Sequence, residues 1–216
     1  MRWHTILFDV DGTLTDPKVG ITTAASLALA HFGIQADPDS LTWMIGPPLH
    51  TTLQEGFGLT PEQALEGVRV FREYYNRRGW AENVPYPGIV ETLRDLKAAG
   101  ARLITATTKP EPSATRILEH FGLARHLDLI CGAPPSPPEA SEKVCVIRNA
   151  LARAGVKNLS GAVMVGDRLH DVEGAHAAGI QAVGVLYGYG SRRELEDCRA
   201  DYLAQSVEAL RALLLL

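Results

Sequence analysis

The sequence predicts an α/β protein: a doubly wound parallel sheet with an inserted α-helical domain. Three observations lead there. From residue 89 onward, short apolar runs of strand type alternate with helical periodicity, the pattern of a parallel sheet with right-handed crossovers. From residue 17 to 84 the periodicity is helical throughout and no strand is evident. Finally, the predicted strands end in polar or charged residues, which an open parallel sheet gathers along one edge. The 216 residues fit one large domain or a domain with an insert. Apolar residues, at 46%, suffice for a substantial core.

The first strand is Ile6-Leu7-Phe8, a continuous apolar run suited to a layer buried on both faces. It stops at Asp9-Val10-Asp11-Gly12-Thr13. Charges are not left unpaired inside such a layer, so Asp9 and Asp11 belong just past the strand's carboxyl end. Flanking one turn, they could serve one site, one carboxylate as nucleophile or metal ligand and the other as proton carrier. A plain Asx turn at Asp11-Gly12 is the alternative.

The helical block follows. Pro17 suits a first turn, and Ile21, Ala24, Ala25, Ala28, Leu29 and Phe32 recur at helical spacing until Gly33. A short segment over 39–45 ends at Gly46-Pro47-Pro48, and a second helix runs through Leu49, Leu53 and Phe57. Thr60-Pro61-Glu62 starts a third, whose apolar face is Ala64, Leu65, Val68, Phe71, Tyr74 and Tyr75. Such a block inserted after one strand predicts a separate small bundle, with residues 84–88 as the return linker.

The remainder alternates. A helix over 89–99 stops at Gly100. A strand over 102–106 leads into Thr107-Thr108-Lys109-Pro110. A helix over 113–121 stops at Gly122, and a short strand is expected over 127–130. Next comes a proline-rich stretch, 132–138, expected to be a rigid surface loop, with a linear partner motif as the alternative. A helix over 141–154 opens with Lys143. A strand over 162–165 runs into Gly166-Asp167-Arg168-Leu169-His170-Asp171, and a helix over 172–178 stops at Gly179. A strand over 182–185, an edge strand over 202–204 and a helix over 207–215 complete the chain.

Composition narrows the function classes. Net charge is −4 and the pI about 6.0, so no basic surface for a nucleic acid polymer is implied. The start leads directly into a strand and not into a signal-peptide apolar region. No apolar run reaches the roughly 18 residues of a membrane span. Cys131, Cys145 and Cys198 lack metal or redox spacing and read as free thiols in a reducing cytoplasm. No GxGxxG follows a strand and no GxxxxGK[ST] is present, which disfavours a dinucleotide or P-loop binder. His31, His120, His126 and His170 need no functional role, and nothing suggests a zinc site.

Asp167 and Asp171 sit four apart where a helix begins, and residues i and i+4 share a helix face. With Asp9 they would form a cluster of like charges that calls for a cation. Mg²⁺ suits it, being a hard ion usually held by one or two carboxylates plus waters and phosphate. The alternative for Asp171 is an acid favouring a helix N-terminus. Thr107 could donate its hydroxyl to a phosphoryl oxygen or simply cap the next helix. Lys143 could neutralise a phosphoryl group and a nucleophilic aspartate, or be a solvated first-turn lysine.

Asp9-Val10-Asp11-Gly12-Thr13-Leu14, Thr107, Lys143 and Gly166-Asp167-x-x-x-Asp171 together resemble the haloacid dehalogenase (HAD) superfamily over the full chain. The resemblance implies a Rossmann-like core over 1–14 and 85–216 and a helical cap over 15–84. It implies that Asp9 attacks phosphorus and that Asp11 is the general acid/base. Mg²⁺ would bind the Asp9 side chain, the Asp11 backbone carbonyl and Asp167, with Asp171 in support. Thr107, Thr108 and Lys143 would hold the phosphoryl oxygens. Gly46-Pro47-Pro48-Leu49, Thr107-Thr108-Lys109-Pro110 and the 185–190 segment resemble the phosphoglycolate-phosphatase-like branch, especially its 5′-nucleotidase-like members. Gly46, Pro47, Pro48 and Leu49 would then meet the substrate from the cap; an interhelical turn is the alternative. Thr108 stands where relatives often have Ser or Asn, and the stretch before Lys143 lacks their basic residue.

The expected function is Mg²⁺-dependent hydrolysis of a small phosphate monoester through an aspartyl-phosphate, by a cytoplasmic monomer or homodimer with no nucleic acid or membrane partner. A phosphomutase on the same scaffold and a catalytically silent binding domain are the competing readings. The pair Asp9/Asp11 disfavours the silent domain, which needs no acid/base partner, and a carbon–halogen substrate, which needs no Asp11.

Overall fold

The computed structural model describes residues 1–134 and 142–216. The expected loop over 135–138 and the expected helix start at Ser141 lie outside the described residues. The chain divides into two compact units, Met1–Asp16 with Pro85–Leu216, and Pro17–Val84.

The first unit is built on five parallel strands in the order β4-β1-β7-β8-β9. These are β1 (Thr5–Phe8), β4 (Arg102–Thr105), β7 (Ala162–Gly166), β8 (Gln181–Val185) and β9 (Tyr202–Ala204). β1 lies between β4 and β7, with Leu7 opposite Ile104 and Met164. Successive side chains of a strand face opposite ways, and the core divides accordingly. Ile6, Phe8, Val163 and Val165 pack on one face with α4 (Ile89–Ala98), α5 (Glu111–His120) and α9 (Val207–Leu215). Leu7, Ile104 and Met164 pack on the other with α6 (Lys143–Arg153), α7 (Leu169–Ala178) and Leu195 of α8 (Arg192–Asp197). Each such buried side chain stabilises by about 1.5–3 kcal/mol. Covered on both faces, the sheet can meet ligands only beyond its strand ends. Chain passage out of the unit is through β2 (Thr15–Asp16), and return is through β3 (Val84–Pro85), a two-residue strand where only a linker was expected.

The strand expected over 127–130 is not regular. Only Leu129 bridges to Ile104, while side chains replace ladder partners on either side. The Asp128 carboxylate accepts the Leu103 N–H at 2.8 Å, and the Thr105 hydroxyl both accepts from Cys131 N and donates to Cys131 O. Strand pairing resumes as β6 (Gly132–Ala133) beside β5 (Thr107–Pro110), with a register shift between Thr107 and Pro110. α8 was not anticipated; its start is capped by Ser191, whose hydroxyl accepts the Glu194 N–H.

The second unit is helical: α1 (Lys18–Ala30), a 3₁₀ segment Pro38–Met44, α2 (Leu49–Phe57), α3 (Pro61–Arg77) and a second 3₁₀ turn Gly79–Glu82. α3 opens with a reciprocal capping box between Thr60 and Gln63. Its core joins Ala25, Leu29, Leu41, Met44, Leu53 and Ala64, with Phe32, Val68 and Phe71 packed against them. Two expectations need correction here. Phe32 lies beyond the end of α1, and Leu65, expected on the buried face of α3, is 67% exposed. One position past Ala64 turns a helical side chain by about 100°, which carries Leu65 off the stripe. Among the described residues no helix is long and apolar enough to cross a membrane.

Candidate active site

The sheet delivers its polar strand ends to one place. Beyond β1 the backbone turns tightly, Leu14 and Thr15 both donating to Val10 O, and Gly12 takes a φ of +80°. Glycine is required there twice over. The left-handed conformation disfavours other residues, and a Cβ at Gly12 would stand 2.2 Å from an Asp167 carboxylate oxygen. The turn at Gly188 is as tight, since a Cβ there would stand 2.4 Å from the Asp167 Cβ. Both glycines thus let backbone close around Asp167.

Asp9, Asp167 and Asp171 bring one carboxylate oxygen each within 4.8 Å of one another. Lys143, buried at the start of α6, ties two of them together. Its Nζ lies 2.9 Å from Asp9 Oδ1 and 2.6 Å from Asp171 Oδ1, and donates to Ala106 O at 3.0 Å. That last bond sets Lys143 next to Thr107. The surrounding carboxylates hold the Lys143 ammonium charged against its burial, its pKa being raised. Asp171 caps α7, its Oδ2 accepting the Arg168 N–H at 3.0 Å, while its Oδ1 lies 2.6 Å from Lys143 Nζ. Burial pushes the Asp171 pKa up, with Lys143 opposing.

Among the described residues, Asp167 is held by hydrogen bonds and forms no ion pair. Oδ2 accepts from Tyr189 N at 2.8 Å and Oδ1 from Thr13 Oγ1 at 3.4 Å. Burial, and then the negative charges of Asp171 and Asp9, push its pKa up to about 8. Three carboxylates thus share one ammonium, an excess of negative charge that a divalent cation would balance. The all-oxygen donor set fits a hard ion such as Mg²⁺.

Asp11 stands apart from this cluster. Its Oδ2 pairs with Lys109 Nζ at 2.7 Å, and its Oδ1 is buried with no hydrogen-bond partner among the described residues. Burial raises its pKa, opposed by Lys109. Thr107 is buried at the start of β5, where its hydroxyl accepts the Lys109 N–H at 3.2 Å; Thr108 is exposed. Gly46, Pro47, Pro48 and Leu49 lie in the helical unit at the turn that opens α2, with Pro48 in the N-cap position.

Lys109 and Tyr189 were not singled out from the sequence. Lys109 had a usable signal: it is two residues beyond Thr107, and strand residues i and i+2 line one face. Tyr189 acts through its backbone N–H, which no residue type announces.

A family model described as haloacid dehalogenase-like hydrolase matches residues 6–185. The tyrosine-protein kinase PtkA of Mycobacterium tuberculosis is 44% identical over 201 residues, which cover 92% of this chain and 64% of that relative. The chain therefore spans under two thirds of that relative's length. A 5′-nucleotidase of Pseudomonas aeruginosa is 38% identical, with 99% of this chain and 96% of the relative covered. Among solved structures, a predicted phosphatase from Clostridium acetobutylicum superposes with a TM-score of 0.93 at 39% identity, covering 100% of this chain and 99% of that one.

Proposed function

The chain belongs to the haloacid dehalogenase-like hydrolases, and on that premise we propose that it is a Mg²⁺-dependent phosphatase that cleaves small phosphate monoesters through an aspartyl-phosphate on Asp9. The observation that carries this reading is the meeting of Lys143 with Asp9 and Asp171 beside Asp167, one strand turn from a second, separately paired aspartate.

An Asp9 carboxylate oxygen attacks phosphorus as the ester P–O bond breaks, and the departing oxygen takes a proton from Asp11. Asp11, now ionised, removes a proton from water; the water oxygen bonds phosphorus, the bond to Asp9 breaks, and inorganic phosphate forms. Splitting the displacement in this way replaces one hard step with two easier ones. Lys143 neutralises Asp9 and the phosphoryl oxygens, which Thr107 and Thr108 help to hold. Asp9, Asp167 and the Asp11 carbonyl would hold Mg²⁺, with Asp171 behind them. The ion would supply further charge neutralisation on the phosphoryl group.

We assign residues 1–14 and 85–216 to the catalytic core and 15–84 to a cap in which Gly46, Pro47, Pro48 and Leu49 contact substrate. The 5′-nucleotidase relative supports a 5′-nucleotide as the ester, with phosphoglycolate as the alternative. Three free cysteines support a reducing, cytoplasmic setting.

A second reading rests on the 44%-identical relative named a tyrosine-protein kinase: the phosphoryl group on Asp9 passes to a tyrosine hydroxyl instead of water. One experiment separates the two. The protein is incubated with nucleotides, phosphoglycolate, sugar phosphates and ATP, with and without Mg²⁺, and free phosphate and phosphotyrosine are both measured. Hydrolysis gives Mg²⁺-dependent phosphate release from a monoester. Phosphotyrosine formed from ATP without such release overturns it, and an isomerised ester without phosphate loss identifies a mutase.

A further inference from the structure

Asp11 pairs with Lys109, a residue to which the scheme above gives no part. Lys109 Nζ lies 2.7 Å from Asp11 Oδ2, and the two side chains are only 9% and 16% exposed. The other carboxyl oxygen, Oδ1, is buried and has no hydrogen-bond partner among the described residues. An unmatched buried oxygen is costly and calls for a reason.

We infer that Lys109 is a positioning residue for Asp11: by holding Oδ2 it makes Oδ1 the oxygen that gives and takes the catalytic proton. This rests on the phosphatase reading of the same site. The chemistry follows from donor and acceptor roles. Lysine's ammonium only donates, so the oxygen facing it must accept and cannot point a carboxylic proton toward it. Neutral Asp11 therefore carries its proton on Oδ1, the atom without a partner among the described residues. In the first half-reaction the ester P–O bond breaks and its electron pair takes the Oδ1 proton, releasing an alcohol and leaving an Asp11 carboxylate. In the second, Oδ1 accepts a proton from the water that attacks phosphorus. Lys109 keeps its own protons in both halves.

The scaffold suits such a clamp. The Lys109 N–H is held by Thr107 Oγ1 at 3.2 Å. Its strand, β5, pairs with β6, and Gly132 has no side chain where a Cβ would stand 2.6 Å from the Lys109 carbonyl oxygen. Lys109 falls between the paired positions Thr107 and Pro110, where the register shifts, so its backbone is held at its flanks, as a group that orients another must be.

The test compares two esters. An alkyl phosphate needs a proton on its leaving oxygen, whereas 4-nitrophenyl phosphate releases an anion that does not. The comparison uses kcat/KM, which reports loss of stabilisation up to transfer onto Asp9. Wild type, Lys109→Met and Lys109→Arg are measured with Mg²⁺. General acid catalysis contributes about 10²–10⁴-fold, so Lys109→Met should lose on the order of 10²-fold or more on the alkyl ester. Its loss on the aryl ester should be at least about tenfold smaller, and Lys109→Arg should recover part of the alkyl activity. Equal losses on both esters, or no loss on the alkyl ester, overturn the assignment. If Lys109→Met does not fold, Lys109→Gln makes the same comparison. Wild-type protein that frees phosphate from neither ester contradicts the phosphatase reading itself, and the role of Lys109 falls with it.

Discussion

Lys143 and Asp9 are 134 residues apart in sequence, yet the Lys143 Nζ donates to Asp9 Oδ1 across 2.9 Å. The same ammonium reaches Asp171 at 2.6 Å, and its side chain is 5% exposed. Replacing one partner of a buried ion pair leaves the other charge uncompensated. Lys143→Met should therefore cost about 3–5 kcal/mol of stability, read from the shift in urea midpoint at unchanged slope. Phosphate release should fall with it, and should stay low under conditions where the variant is fully folded. A variant as stable and as active as wild type would mean that the Lys143 ion pairs add nothing to the fold and that Lys143 has no part in turnover.

Gly12 faces Asp167 from a left-handed backbone position. Gly12→Ala adds a Cβ that both strains the backbone and displaces the carboxylate. A destabilisation of more than about 1 kcal/mol is expected from the backbone alone. Gly33→Ala is the control, because its φ is also positive but nothing stands within 4 Å of its would-be Cβ. The difference between the two midpoints measures the closeness of the turn to Asp167. Equal shifts would show that the contact adds nothing.

The raised pKa of Asp167, about 8, makes stability and metal binding depend on pH in opposite ways. An acid whose folded pKa exceeds its unfolded value binds more protons in the folded state. Without metal, its contribution is full below the unfolded value of about 3.8 and is lost as pH rises toward about 8. A divalent ion needs the ionised carboxylate, so it binds more tightly over that same rise. Thermal unfolding with EDTA and with excess Mg²⁺, from mildly acidic to mildly alkaline pH, should show a metal increment in Tm that grows up to about pH 8 and then levels. An increment independent of pH would place the ion elsewhere.

Much of the core was legible because its strands are buried on both faces. Runs such as Ile6-Leu7-Phe8 and Val163-Met164-Val165 leave little choice of element, and the aspartates beyond them little choice of place. The segment at 127–130 was misread because Asp128 and Thr105 complete its hydrogen bonds with side chains, a pairing that apolar patterning does not record. Leu65 was misread because hydrophobicity alone was used, without its angle around α3. In the site, acidic residues announced themselves by interrupting apolar runs. Lys109 did not, since one lysine in a polar strand end looks solvated until Asp11 is beside it. The Tyr189 contribution was illegible for a different reason, being a backbone N–H offered by a turn.

The central claim is that the phosphoryl group passes through Asp9. Its most direct test is an acid-quenched single turnover with Mg²⁺ and a cleaved ester, followed by mass spectrometry of the peptide that carries Asp9, for wild type and Asp9→Asn. The wild type should carry a transient, acid-labile phosphoryl group on Asp9, and the variant should show no adduct and only background phosphate release. Full turnover by Asp9→Asn, or wild-type turnover with Asp9 never modified, would contradict it.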